Sequence, residues 1–199
     1  MIAIIDYGAG NLKSVKKAFD HLKVNSKVIS SAREWSGFDK LVLPGVGAFG
    51  AAAQRLNKAG FIELTKEWLI ADKPFLGICL GLQLLFESST ESTDIDGLGF
   101  FKGKCVRFQQ GKVPQIGWNQ IQLKKDSKLL DGITENSFFY FLHGYYIQPE
   151  NEDIITANTE YGITYPSIVS KGNVYAVQFH PEKSGDVGLQ LLKNWVEKC

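Results

Sequence analysis

Apolar residues open the chain as a short continuous run, Ile2 to Ile5, and then spread to a spacing of three and four at Leu12, Val15, Phe19 and Leu22. The run fits a strand buried on both faces. The wider spacing fits a helix with one apolar stripe, its lysines Lys13, Lys16, Lys17 and Lys23 turned to water. Asn11 stands where a side chain would cap that helix. The alternation continues with strands over 27–30 and 41–43, helical spacing over 51–56 and 61–70, and another apolar run over 74–78. Leu82, Leu85 and Phe86 then return to helical spacing. This order predicts an α/β fold, a three-layer sandwich with helices on both faces of a mostly parallel sheet. In such folds ligands bind beyond the carboxyl ends of the strands.

After Glu87 the texture changes. Residues 88–96 are polar, Gly97-Leu98-Gly99 reads as a turn, and short strand patterns follow over 104–108, 118–123, 137–142, 145–148, 154–158, 168–170 and 174–179. They predict antiparallel strands that extend the parallel core. A last helix, 185–198, places Val187, Leu191, Leu192 and Trp195 inward. No repeat or linker divides the chain, so one domain over residues 1–199 is expected.

Composition narrows the functional classes. A formal net charge of +1 with 22% charged residues gives no surplus for a nucleic-acid partner. The three cysteines, Cys79, Cys105 and Cys199, are odd in number and far apart, which suits a reducing compartment. The start, MIAIIDYG, lacks the basic residues and apolar length of a leader, and no run approaches a membrane span, so a cytoplasmic protein is expected. Gly8 and Gly10 suggest a dinucleotide loop, but Lys13 stands where its third glycine belongs and no acidic residue closes the strand over 27–30. No His/Cys pair has metal-ligand spacing. Neither a metal nor a cofactor is expected.

The chemistry centres on Gly77-Ile78-Cys79-Leu80-Gly81. Small residues flank a cysteine between a strand and a helix, the form of a nucleophile elbow. Helix amides beginning at Leu80 would favour a thiolate and hold an oxyanion. A buried core thiol is the competing reading of Cys79. Residues 44–50, with three glycines and a proline, form a loop able to turn N–H groups inward at the same sheet edge. Among the three histidines, His21 falls near a helix end and His143 in an apolar stretch, as a site wall or packing residue. His180 follows the strand over 174–179, and Glu182 lies two residues on. In an extended segment both would share one side, a base with its orienting acid.

These residues lie in motifs that resemble the class I, or triad, glutamine amidotransferases, and among them the glutaminase subunits of imidazole glycerol phosphate synthases. The motifs are Tyr7-Gly8-Ala9-Gly10-Asn11, Pro44-Gly45-Val46-Gly47-Ala48-Phe49, the elbow continued through Gln83-Leu84-Leu85, Pro114-Gln115-Ile116-Gly117-Trp118-Asn119, and Gln178-Phe179-His180-Pro181-Glu182-Lys183-Ser184. The resemblance spans essentially the whole chain and implies the flavodoxin-like sandwich of that class. It implies hydrolysis of L-glutamine by Cys79, His180 and Glu182, with an oxyanion hole from Leu80 and the Val46–Gly47 segment. By motif position, Gly47, Gln83, Glu91, Gly144 and Tyr145 become substrate contacts. Gln115 stands where many members carry His, and Gly144 where Ser or Thr is common.

The resemblance also implies a partner, a (β/α)8-barrel cyclase that receives the ammonia through a protected channel. Its acceptor would be phosphoribulosyl formimino-aminoimidazole carboxamide ribotide. Imidazole glycerol phosphate and aminoimidazole carboxamide ribotide would be the products, in histidine biosynthesis. Asn11, Gln115, Trp118, Asn119, Tyr140 and Lys183 become partner-facing positions, with a core aromatic as the other reading of Trp118. Two alternatives stand beside this: the same glutaminase feeding amidino-sugar synthesis, or a non-catalytic regulatory subunit on the same fold.

Overall fold

The computed structural model describes all 199 residues. The first half alternates strand and helix: β1 (Ile2–Ile5), α1 (Leu12–His21), β2 (Ser26–Ile29), β3 (Lys40–Gly45), α2 (Phe49–Lys58), α3 (Phe61–Ile70), β4 (Phe75–Cys79) and a single turn, α4 (Leu80–Gln83). Strands then dominate: β5 (Phe86–Ser89), β6 (Phe101–Arg107), β7 (Gln115–Gln120), β8 (Gln122–Leu123), β9 (Phe138–His143), β10 (Tyr145–Pro149), β11 (Ile155–Glu160), β12 (Thr164–Lys171) and β13 (Val174–Val177). Helix α5 (Gly185–Lys198) ends the chain. No helix is long and apolar enough to cross a membrane.

The main sheet has eight strands in the order β2-β1-β3-β4-β13-β12-β11-β8. β2, β1, β3, β4 and β13 run parallel; β12, β11 and β8 add an antiparallel wing. Both faces are covered, which is why the parallel strands read as continuous apolar runs. Ala3, Ile5, Leu41, Leu43 and Phe75 join one core under α2 and α3. Ile2, Ile4, Val42 and Leu76 join the other, with Val15 and Phe19 of α1 and Leu191, Leu192 and Trp195 of α5. Phe19 and Trp195 are wholly buried, ring centroids 6.1 Å apart; burying each such side chain is worth about 2–3 kcal/mol before entropy. Asn11 caps α1 by accepting the Ser14 N–H.

Two departures from the sequence pattern matter. Leu85 and Phe86 do not continue a helix: Phe86 opens β5. The carbonyls of Leu84, Leu85 and Phe86 instead accept from Leu98, Phe101 and Gly99 at 2.7, 3.0 and 3.3 Å. Tertiary partners have thus taken the acceptors a longer helix would have used. Nor do all later strands extend the main sheet. β10, β6 and β5 form a separate three-stranded sheet, in which β5 and β6 run parallel, and β7 and β9 form a two-stranded ribbon. These smaller sheets place Arg107, Gly144 and Tyr145 beside the carboxyl end of β4.

Candidate active site

At the end of β4 the backbone turns sharply through Cys79, with φ 55° and ψ −107°. A residue with a Cβ enters this left-handed region only at a cost, so the surrounding packing must impose it. The imposing contact is the close seating of α4 on β3. A Cβ on Gly81 would lie 1.8 Å from the Leu43 carbonyl oxygen, so only glycine fits there. The sulfur stands at the sheet edge, and Leu80, the first residue of the turn, has an N–H with no intrahelical acceptor. Because α4 is one turn long, this local amide, rather than a long helix dipole, is what the elbow offers an oxyanion.

His180 Nδ1 lies 2.8 Å from Glu182 Oε1, and both side chains are 2% exposed or less. They meet through a tight 3-10 turn, Pro181–Lys183, not through the extended segment expected from the sequence. The turn is pinned on both sides. The His180 N–H donates to the Tyr140 carbonyl at 2.8 Å, while the Ser184 hydroxyl donates to the His180 carbonyl at 2.6 Å and accepts the Tyr140 N–H at 3.0 Å. His180 Nε2 is buried without a partner. Burial pushes the imidazole down, but the nearby Cys79 sulfur and the Glu182 carboxylate outweigh it and raise His180 to about 10. The arrangement favours imidazolium beside sulfur.

Cys79 Sγ lies 3.7 Å from the Leu142 carbonyl and 3.8 Å from Gln178 Nε2. Gln178 is fully buried and also accepts from Gln83 Nε2 at 3.3 Å. Its amide donor at the sulfur has no counterpart in the roles drawn from sequence. The signal was present as one polar residue in the buried apolar run over 174–179.

A cavity of about 360 Å³ opens at the sulfur, within the usual size range for small-molecule sites. It brings together Cys79, Leu80, Val46 and Gly47 with Gln83, Glu91, Gly144 and Tyr145. Gly47 has φ 103°, a backbone state that keeps the loop's peptide orientation open to glycine alone. Gln83 is buried and donates to the Tyr145 carbonyl at 3.0 Å, and Glu91 accepts the Phe49 N–H at 2.6 Å where α2 begins. A larger groove of about 770 Å³ lies around Lys124, Tyr146 and Asp153, but it contains no cysteine or histidine. The smaller cavity is therefore the candidate site. No group of three or more His, Cys, Asp or Glu side chains is placed to hold a metal ion.

His143 lies in the cavity wall, with Nδ1 2.8 Å from the Tyr145 carbonyl and Nε2 3.2 Å from the Tyr165 hydroxyl. Burial pushes it down to about 4, so it is neutral at pH 7 and supports the wall rather than moving protons. His21 is at the exposed end of α1, remote from the cavity lining.

The interface residues named from sequence divide by strand period. Trp118 pairs with Tyr140 across β7 and β9, and Ile116, Trp118 and Phe138 are 51–58% exposed on one face of the ribbon. Trp118 is thus not a core aromatic. Gln115 and Asn119 occupy the opposite face: Gln115 is buried with its Oε1 2.8 Å from the Tyr165 hydroxyl, and Asn119 Nδ2 donates to the Glu160 carbonyl at 2.8 Å. Alternate residues of a strand cannot share a face with their neighbours, so those two lie beneath the exposed one. Lys183 Nζ stands 5.7 Å from the Tyr140 ring centroid, and exposed Asn11 caps α1, which packs on the turn carrying Lys183.

The family model for "Glutamine amidotransferase class-I" matches residues 3–199. The imidazole glycerol phosphate synthase subunit HisH of Caldanaerobacter subterraneus is 49% identical, with all of both chains covered. The subunit of the same name from Methanocaldococcus jannaschii is 47% identical over 99% of each chain. Among solved structures, one of a glutamine amidotransferase has a TM-score of 0.77 at 18% identity, covering 98% of this chain and 100% of that one. The PurLQS structure from Thermotoga maritima has the same TM-score of 0.77 at 15% identity, covering 98% and 96%; these two likenesses bear on the fold alone. The chain belongs to the class-I glutamine amidotransferase family, and within it to the HisH type.

Proposed function

We propose that the chain is the glutaminase subunit of an imidazole glycerol phosphate synthase, hydrolysing L-glutamine to glutamate and ammonia for histidine biosynthesis. The observation that carries this is the buried pair of His180 and Glu182, which follows β13, the strand that lies beside β4 and its terminal Cys79. In this reading Cys79 gives its proton to His180 and the sulfur attacks the side-chain amide carbon. The oxyanion meets the Leu80 N–H and one from the Val46–Gly47 segment. His180 passes the proton to the amide nitrogen, the C–N bond breaks, and ammonia leaves a thioester on Cys79. Water, deprotonated by His180, then attacks the thioester and releases glutamate.

The ammonia acceptor in this reading is bound by a (β/α)8-barrel cyclase. Near neutral pH free ammonia is mostly ammonium and no nucleophile, so a water-excluding passage between subunits preserves it. The docking face would be the exposed side of β7 and β9, with Ile116, Trp118, Phe138 and Tyr140, bordered by Lys183 and Asn11. Support comes from the size of its apolar side chains and from its tie to the site, since the Tyr140 carbonyl holds the His180 N–H. The test is a glutaminase assay of the purified chain, with and without the cyclase and an acceptor analogue. We expect slow hydrolysis alone and strong activation on assembly, because glycine leaves the oxyanion loop more than one orientation. Full turnover by the isolated chain would overturn the dependence on a partner, and no turnover under any condition would overturn the function.

A further inference from the structure

Gln178 is a fully buried carboxamide that the triad does not use. It follows β13, whose Val177 pairs with Ile78 of β4, so the next residue of each strand brings Gln178 beside Cys79. Its backbone N–H donates to the Ser167 carbonyl at 2.9 Å, which ties it to β12. Three contacts in series fix which way the carboxamide points. The Tyr145 carbonyl can only accept, so the Gln83 atom 3.0 Å from it is Nε2. The same nitrogen donates to Gln178 at 3.3 Å, which must therefore present Oε1. That leaves Gln178 Nε2 as the atom 3.8 Å from Cys79 Sγ. No other side chain donates to the sulfur: His180 Nε2 has no partner, and the Leu142 carbonyl accepts from the thiol.

We propose that Gln178 is a catalytic residue that donates a hydrogen bond to Cys79 Sγ whenever the sulfur carries negative charge. The inference rests on the glutaminase reading and adds a group that acts on the nucleophile itself. The sulfur carries that charge twice. It does so first when its proton has passed to His180, and again when the intermediate formed by water collapses, the C–S bond breaks and the electron pair returns to sulfur. A hydrogen bond to the charged form favours that form, and it is stronger than the same bond to the neutral thiol. Because Gln83 already holds the carboxamide in place, the donor needs no reorganisation at either step. The Leu80 and Val46–Gly47 amides serve the oxygen of the substrate; Gln178 serves the sulfur.

The test follows alkylation of Cys79 by iodoacetamide as a function of pH in the full chain, read on the Cys79 peptide by mass spectrometry, for wild type, Gln178→Met and Gln178→Glu. Methionine keeps the shape without the donor, and glutamate keeps the shape with a repelling charge. The inflection of rate against pH should rise by about one pH unit in Gln178→Met, the size of one long hydrogen bond to a charged group, and further in Gln178→Glu. In the assembled enzyme Gln178→Met should lower glutaminase kcat about tenfold, with KM within about threefold of wild type. An inflection in Gln178→Met equal to that of wild type overturns the proposal, even where kcat falls, because a merely structural role lowers the rate without moving the inflection. If neither variant folds, the wild-type chain decides: the side-chain N–H resonances of Gln178 should shift with the same inflection, and resonances flat across it overturn the proposal as well. Assembled wild type with no glutaminase activity, but with the alkylation shift intact, would instead overturn the glutaminase reading beneath it.

Discussion

The imidazole of His180 is held by the carboxylate of Glu182 at 2.8 Å, with both side chains buried. In Glu182→Gln the shape survives and the charge does not, so the imidazolium loses its internal counter-ion. Glutaminase kcat is expected to fall roughly 100-fold with KM little changed. Steady-state kinetics of the assembled enzyme check this; a kcat within threefold of wild type would deny Glu182 its orienting role.

The same pair sets a pH dependence of stability. His180 binds its proton more tightly when folded, because Cys79 and Glu182 oppose the cost of burial. Folding therefore gains fully below the ordinary value of 6.5 and loses that gain as pH rises toward about 10. Urea unfolding from pH 6 to 10 should show declining stability, with a shallower decline in Glu182→Gln. Identical slopes would contradict the coupling.

His143 gives the opposite sign. Burial holds its folded value near 4, below the ordinary 6.5, so its contribution is present above 6.5 and is lost as pH falls toward 4. His143→Gln should cost about 1–3 kcal/mol at pH 8, where a buried bond to the Tyr145 carbonyl is disturbed. The gap from wild type should narrow by pH 4.5, measured by urea unfolding. A gap that is constant with pH would mean that His143 does not titrate between the two states.

Trp118 stands edge-on to Tyr140, ring centroids 6.1 Å apart, on a face that is open in the isolated chain. Trp118→Ala is expected to weaken cyclase binding by about 2 kcal/mol, roughly thirtyfold, without lowering the stability of the chain alone. Calorimetric titration against the cyclase and thermal unfolding of the chain separate the two effects. Unchanged affinity would move the interface elsewhere.

Much of this architecture is legible in residue order because each parallel strand is an apolar run and each helix has a stripe. Helix α5 has the bounds that its pattern gives, Gly185–Lys198. The motifs around Cys79, Val46–Gly47 and His180 could be placed at the ends of strands, and those residues lie together at the carboxyl end of the sheet. What the sequence hid was decided at a distance. Leu82, Leu85 and Phe86 have helical spacing, yet amides at 98–101 capture the carbonyls of Leu84, Leu85 and Phe86 and convert the continuation to β5. Gln115 reads as surface in a motif, but its pairing with His143 across the ribbon turns it inward toward Tyr165. Arg107 carries no motif at all. Only the ladder of β6 with β10 brings it to the cavity.

The proposed release of ammonia from glutamine depends on the Cys79 sulfur. Its most direct test is product formation by the assembled synthase carrying Cys79→Ala, with L-glutamine and then with ammonium salts at alkaline pH as nitrogen donor. The variant should make no imidazole product from glutamine while matching wild type with ammonia, because the substitution does not reach the proposed cyclase partner. Glutamine-dependent synthesis at the wild-type rate by Cys79→Ala would contradict a role for the Cys79 sulfur in that release.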